Sequence, residues 1–177
     1  MTEPVAFFTT PIWHYRDNKL PEGIYDWCLE YKRDHPSDSQ ISNRGGYQSK
    51  VTKDYTNFVY LNYLKEQVKS LPKFNFGTWW LNINEKGDYN IQHTHPLTDL
   101  ALIWYITDNN SSLVLTNPLG FSRPNIHEIY PREHNAVIFN CKAGDIVVFP
   151  SDVPHHVEQH TENTPRISIA INLHIPS

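Results

Sequence analysis

The chain changes its hydrophobic period near residue 77. Before that point, apolar side chains recur at helical spacing. Ile24, Trp27, Cys28 and Tyr31 fall at i, i+3, i+4 and i+7, which predicts a helix over 20–34 with one buried face. Phe58, Leu61, Leu64, Val68 and Leu71 predict a second helix over 55–71, ended by Pro72. Gly45-Gly46 breaks the chain between them.

From Gly77 onward the pattern is of short β-prone runs separated by turn signals. The runs cover 79–84, 89–95, 100–107, 113–116, 136–141, 146–149, 153–160 and 166–175. About eight strands suit a sandwich or a jelly roll. The segment 117–135, rich in Pro, Asn and His, predicts a long loop. A lid over substrate and a disordered segment are both open for it. No repeat and no second domain is visible. The expectation is one domain over 1–177, with a helical part over about 1–73 and a β core over about 77–177.

The last run says which way the sheet faces. Side chains alternate along a strand, so Ile167, Ile169, Ile171, Leu173 and Ile175 share one face. Arg166, Ser168, Ala170, Asn172 and His174 share the other. The apolar face fits packing beneath the N-terminal helices. The face that starts with Arg and Ser fits a polar pocket.

Composition excludes several classes. Fifteen basic against nineteen acidic side chains give a net charge of -4, and no Lys/Arg cluster stands out. That argues against a nucleic-acid partner. Cys28 and Cys141 sit in no motif, which fits thiols in a reducing compartment better than a disulfide framework. The opening MTEPVAFFTTP is not a signal peptide, and no apolar run approaches membrane-spanning length. The cytoplasm is the expected location, or the host cytoplasm if the gene is a phage's. A homodimer stays open.

The candidate chemistry lies in NIQHTHPLTD, residues 90–99. In a strand, i and i+2 point the same way, so His93 and His95 present two imidazoles to one point, as a metal requires. His155 follows a Gly-Asp turn and an apolar run and is the candidate third ligand. His156 would then face away. Of the ten histidines, His14, His35, His127, His134 and His160 read as surface or hydrogen-bonded residues, and His174 as a weak pocket candidate. Two readings fit Asp99: a fourth ligand brought round by a bend, or a carboxylate that ends a turn.

Arg166 completes the constellation. A buried guanidinium needs an anion, and no acidic residue sits opposite it in the pattern. A small-molecule carboxylate would supply that partner bidentately, with Ser168 donating a further hydrogen bond. An ion pair with one of the nineteen acids is the alternative. Tyr89, Asn90, Trp104 and Tyr105 fit either the pocket lining or ordinary strand packing, and Asn172 shares the polar face of the last strand.

Six stretches, in order and spacing, carry a family resemblance: FFTTPIW, GGYQS, WLNINEKGDYNIQHTHP, LALIWYI, AGDIVVFPSDVPHHV and PRISIAINL. With them the sequence resembles the 2-oxoglutarate/Fe(II)-dependent oxygenases of bacteria and marine phages. The resemblance implies a double-stranded β-helix and the use of Fe(II), 2-oxoglutarate and O2 to oxidise a small-molecule or peptide substrate. It places His93 and His155 as iron ligands and Arg166 as the oxoglutarate-binding arginine. His95 stands where that pattern has Asp or Glu, which implies a three-histidine site. A second, shorter resemblance is to the cupin metal motifs, carried by Gly87, His93, His95 and Asp99, and by Gly144, Pro150 and His155, with Asp152 where Gly is usual. It implies the same jelly roll and strengthens Asp99 as a ligand. A cupin-type metal enzyme without oxoglutarate and a non-catalytic binding module are the alternatives.

Overall fold

The structure is a computed structural model that describes residues 10–37, 39–108, 110–117 and 136–176. The described strands are β1 (Trp13–Tyr15), β2 (Asn43–Arg44), β3 (Tyr47–Gln48), β4 (Asn75–Asn84), β5 (Tyr89–His93), β6 (Leu100–Tyr105), β7 (Leu113–Thr116), β8 (Ala136–Phe139), β9 (Ile146–Pro150), β10 (His155–Val157) and β11 (Arg166–His174). The helices are α1 (Ile24–Asp34) and α2 (Leu61–Gln67). Every pairing is antiparallel. One sheet runs β1-β9-β6-β11-β4-β3 and the other β2-β5-β10-β7-β8. Together they form the expected double-stranded β-helix.

The outer face of the larger sheet holds the main core. Ile167, Ile169, Ile171 and Leu173 of β11 are fully buried beside Trp79, Leu81 and Ile83 of β4. They pack against Ile24 and Cys28 of α1 and Leu64 of α2. Trp79 lies at the centre of an aromatic cluster, 4.9 Å from the Phe58 ring and 5.3 Å from Tyr31, and its indole N–H donates to the Asp54 carbonyl at 2.8 Å. The inner faces hold a second apolar layer, including Ile103, Tyr105, Leu115 and Phe149. Alternation along β11 therefore does what its sequence predicts: isoleucines outward under the helices, Arg166 and Ser168 inward.

Several elements are shorter than the periodicity implies. The second helix covers only Leu61–Gln67. Ahead of it, Asp54 accepts hydrogen bonds from both the backbone N–H and the hydroxyl of Thr56, a local side-chain bond that competes with helix. Phe58 and Leu71 reach the core from turns instead. The run 153–160 yields only β10, which starts after Pro154, a residue with no N–H to pair. β5 ends at His93, so His95 lies beyond the strand. The three short strands β1, β2 and β3 were not expected. The predicted loop 117–135, apart from Asn117, lies outside the described residues, as do His127 and His134.

Gly45-Gly46 is the crossover between the sheets. β2 pairs with β5 in the smaller sheet and β3 with β4 in the larger. The two-residue link needs Gly45 at φ 89 and leaves no room at Gly46, where a Cβ would sit 2.8 Å from the Ile83 carbonyl oxygen. Amides knit this end together: Asn43 donates to Asn84, Asn84 to Asn90, and Asn90 to the Ser42 hydroxyl. No helix among the described residues is long and apolar enough to cross a membrane.

Candidate metal centre

His93 and His155 are directly opposite each other across the β5–β10 pair. Their rings are 4.2 Å apart. His95 arrives by a different route. After β5 the chain turns through Pro96 and Leu97, and Leu97 takes the left-handed conformation at φ 63. The turn is pinned on both sides. The His95 N–H bonds the Ser151 carbonyl at 2.8 Å, and the Thr98 hydroxyl bonds the Leu173 carbonyl at 2.8 Å. That holds the His95 ring 4.9 Å from His155 and 5.2 Å from His93. One nitrogen from each of the three residues lies within 4.8 Å of the others.

The hydrogen bonds fix which nitrogen that is. The Nδ1–H of His93 donates to the Ile91 carbonyl at 2.8 Å, and that of His155 to the Val153 carbonyl at 2.9 Å. The Nδ1–H of His95 donates to Asn172 Oδ1 at 2.8 Å. Each neutral imidazole therefore turns a bare Nε2 lone pair inward. His93 Nε2 and His95 Nε2 face each other at 3.3 Å. Metal–nitrogen bonds of about 2.0–2.1 Å at right or tetrahedral angles place donors about 2.9–3.4 Å apart. Two lone pairs at that distance repel unless a cation lies between them.

Burial keeps the rings neutral. It pulls His155 down to about 3, helped by the charges His93 and His95 would carry. It pulls His95 down to about 4 and lowers His93 as well. Bare imidazoles are what a cation binds, because protonated ones repel it.

Across the cavity lies Arg166, 1% exposed. Its Nη1 donates to Ser168 Oγ at 3.3 Å, its guanidinium lies 5.3 Å over the Tyr105 ring, and its Nε has no partner among the described residues. Among the described residues no carboxylate pairs with it. A buried cation with an idle N–H is a fit for a ligand carboxylate.

The structure sorts the other candidates. Asn90, Arg166 and Ser168 line the cavity with the three histidines, and Asn172 joins through His95. Tyr105 backs Arg166. Trp104 does not belong: it faces the opposite side of β6, in the outer core against Tyr63. Tyr89 is exposed. The structure turns Asp99 away from the three histidines. Its carboxylate accepts the Ile175 N–H at 2.8 Å and lies 3.9 Å from His174, because its own N–H and carbonyl are tied to Leu173 and Ser151 and set the side chain outward. His174 stays with it, outside the cavity. Trp80, Asn82 and Ser42 line the cavity and were missed. The alternation Thr78, Trp80, Asn82, Asn84 along β4 would have found two of them.

A second cluster, His14 with Cys141 and Asp145, also brings ligand-type atoms together. Its histidine and carboxylate are already paired. Arg16 Nε donates to His14 Nδ1, so His14 Nε2 carries the proton and donates to Asp145 at 3.3 Å. The carboxylate also takes the N–H groups of Asp17 and Lys142. This cluster ties the edge strand β1 to the turn before β9.

A β-helix wrapped round inward-facing imidazole lone pairs is the frame of a mononuclear metal enzyme. Residues 78–172 match the sequence model of the family described as "Putative 2OG-Fe(II) oxygenase". That span is more than half of the chain, and the chain belongs to this family. It is an oxidoreductase that uses Fe(II), 2-oxoglutarate and O2. Solved structures share the fold. A prolyl-4-hydroxylase from Pseudomonas putida is 14% identical with a TM-score of 0.64, over 96% of this chain and 95% of that one. A prolyl hydroxylase from Trichoplax adhaerens, in complex with a hypoxia inducible factor oxygen degradation domain peptide fragment, is 15% identical with a TM-score of 0.65, over 92% and 83%. The epimerase SnoN, in complex with Fe3+, alpha ketoglutarate and nogalamycin RO, is 13% identical with a TM-score of 0.62, over 92% and 78%. Among curated proteins nothing matches.

Proposed function

We propose that His93, His95 and His155 hold the iron through Nε2, and that Arg166 and Ser168 receive the far carboxylate of 2-oxoglutarate. The observation that carries this reading is the pair of Nε2 lone pairs held 3.3 Å apart, with every Nδ1–H already committed. When bound, the iron supplies the redox chemistry that couples oxygen and 2-oxoglutarate to oxidation of the substrate. The chain's residues do the positioning. The backbone carbonyls of Ile91 and Val153 lock two of the rings, and the guanidinium orients the cosubstrate by one end. Ile103, Val157 and Ala170 close the walls with apolar surface and exclude water.

The substrate is a small molecule or a peptide side chain, a reading supported by the complexes of a similar prolyl hydroxylase with a peptide fragment and of the epimerase SnoN with nogalamycin RO. The whole of 1–177 works as one oxygenase domain. Cytoplasm suits it, since Cys28 and Cys141 are buried free thiols. The test is turnover. Protein given Fe(II), 2-oxoglutarate and oxygen should release succinate, and Arg166→Ala should lose most of it while still binding metal one to one. Succinate release unaffected by Arg166→Ala would remove the arginine from the site.

A further inference from the structure

His95 is held unlike the other two histidines. His93 and His155 each give their Nδ1–H to a carbonyl two residues earlier in their own chain segment. Their orientation is therefore local to the β5–β10 pair. His95 has left its strand, and its Nδ1–H goes to a side chain on the opposite sheet, Asn172 Oδ1 at 2.8 Å. Asn172 in turn gives its Nδ2–H to Thr78 Oγ1 on β4, also at 2.8 Å. The amide thus spends its donor end on Thr78 and turns its acceptor end to His95.

The backbone is arranged around this contact. The β11–β4 register shifts between Ile171 and Leu173, so Asn172 sits at an irregularity with no opposite number on β4. Gly77 makes the close approach feasible: a Cβ there would lie 2.9 Å from the Asn172 carbonyl oxygen and 2.7 Å from His174. Thr78 follows directly.

The geometry points to Asn172 as the positioning residue of the third ligand, with Thr78 holding its amide in place. The relay Thr78–Asn172–His95 selects the Nε2-donating tautomer of a ring that no backbone carbonyl holds. It does so with a neutral acceptor, so the ligand set stays uncharged. This inference rests on the three-histidine reading of the metal centre.

The test is metal affinity of the metal-free full chain, measured by anaerobic titration with Co(II) and followed by its visible ligand-field spectrum. Apo melting curves report folding. Asn172→Leu keeps the size and removes the acceptor; it should weaken Co(II) binding about 10- to 100-fold, the usual effect of losing an outer partner of a ligand histidine, with the apo protein still folded. Asn172→Asp keeps the acceptor. It should bind Co(II) at least as tightly as the wild type, with a shifted spectrum, because a carboxylate makes the histidine a stronger donor. Thr78→Val should weaken binding several-fold, and decides the matter if Asn172→Leu does not fold. Affinity within twofold of wild type in Asn172→Leu, or in Thr78→Val when the former is unfolded, overturns the proposal. So does equal weakening by Leu and Asp, which would mean packing alone. If the wild type binds no Co(II), or His95→Ala binds it equally well, the three-histidine reading falls and takes the relay with it.

Discussion

Arg166→Met should move two properties in opposite directions. In the metal-free, ligand-free protein the guanidinium is 1% exposed, and among the described residues its Nε has no partner and no carboxylate faces it. Burying an ion costs several kcal/mol after relaxation. Against that stand one long hydrogen bond to Ser168, worth about 1.5 kcal/mol at the low end for a charged donor, and the contact with the Tyr105 ring, worth about 1–2 kcal/mol. The sum leaves the native arginine a net burden of about 1–3 kcal/mol. Methionine fills a similar length without charge, so the apo variant should melt higher, by about 2–4 °C per kcal/mol at this chain length. Binding of 2-oxoglutarate should fail. Two charge-assisted hydrogen bonds of about 1.5–3 kcal/mol each amount to a loss of roughly 10²- to 10⁴-fold in affinity. Differential scanning calorimetry of the apo protein and anaerobic titration with oxoglutarate in the presence of Co(II) give the two numbers. A variant that melts lower and binds oxoglutarate normally would refute the reasoning: the arginine would be a structural residue.

Other substitutions separate fold from chemistry. The folded pKa values of His155 and His95 lie below the ordinary 6.5, so the metal-free protein should be most stable above about pH 6.5 and weaken as the pH falls towards 3; urea melts across that window should flatten in His155→Gln, and an unchanged slope would contradict the buried neutral imidazole. Asp99→Asn should leave Co(II) affinity within twofold, whereas a tenfold loss would restore Asp99 to the ligand set. Trp79→Ala removes the centre of the aromatic cluster and should cost about 3–5 kcal/mol in urea unfolding without altering metal affinity of the folded fraction.

The two faces of the last strand were legible in the sequence because alternation is a local property and Arg166–Leu173 keeps it without a break on the outer side. His155 is a candidate in the sequence on a different ground, its place after a Gly-Asp turn and an apolar run, and the structure sets it opposite His93. His95 was expected to meet them through strand alternation, and it does meet them, but by a pinned turn beyond the strand end. The spacing signal was right and its physical cause was different. Asp99 stays open between ligand and turn residue in the sequence, which shows only that a bend follows His95, not that the Asp99 backbone is tied to Leu173 and Ser151 with its carboxylate turned to Ile175. Trp104 and Tyr105 could not be told apart by type: adjacent aromatics on one strand must face opposite ways, and only the packing of α2 and Tyr63 shows which is which. The strands β2 and β3 hold two residues each and carry no periodicity. Asn172 drew notice only for the face it shares with Arg166, since its bond to His95 spans 77 residues.

The link at 45–46 has a consequence for how this architecture can vary. A chain that changes sheets within two residues has no slack to absorb an added or deleted position. One extra residue there would rotate β3 by half a pleat period against β4, or β2 against β5, and a side chain larger than hydrogen meets the Ile83 carbonyl. Length polymorphism among descendants of this scaffold should therefore be missing at this glycine pair, and grafts or permuted termini placed there should not yield folded protein.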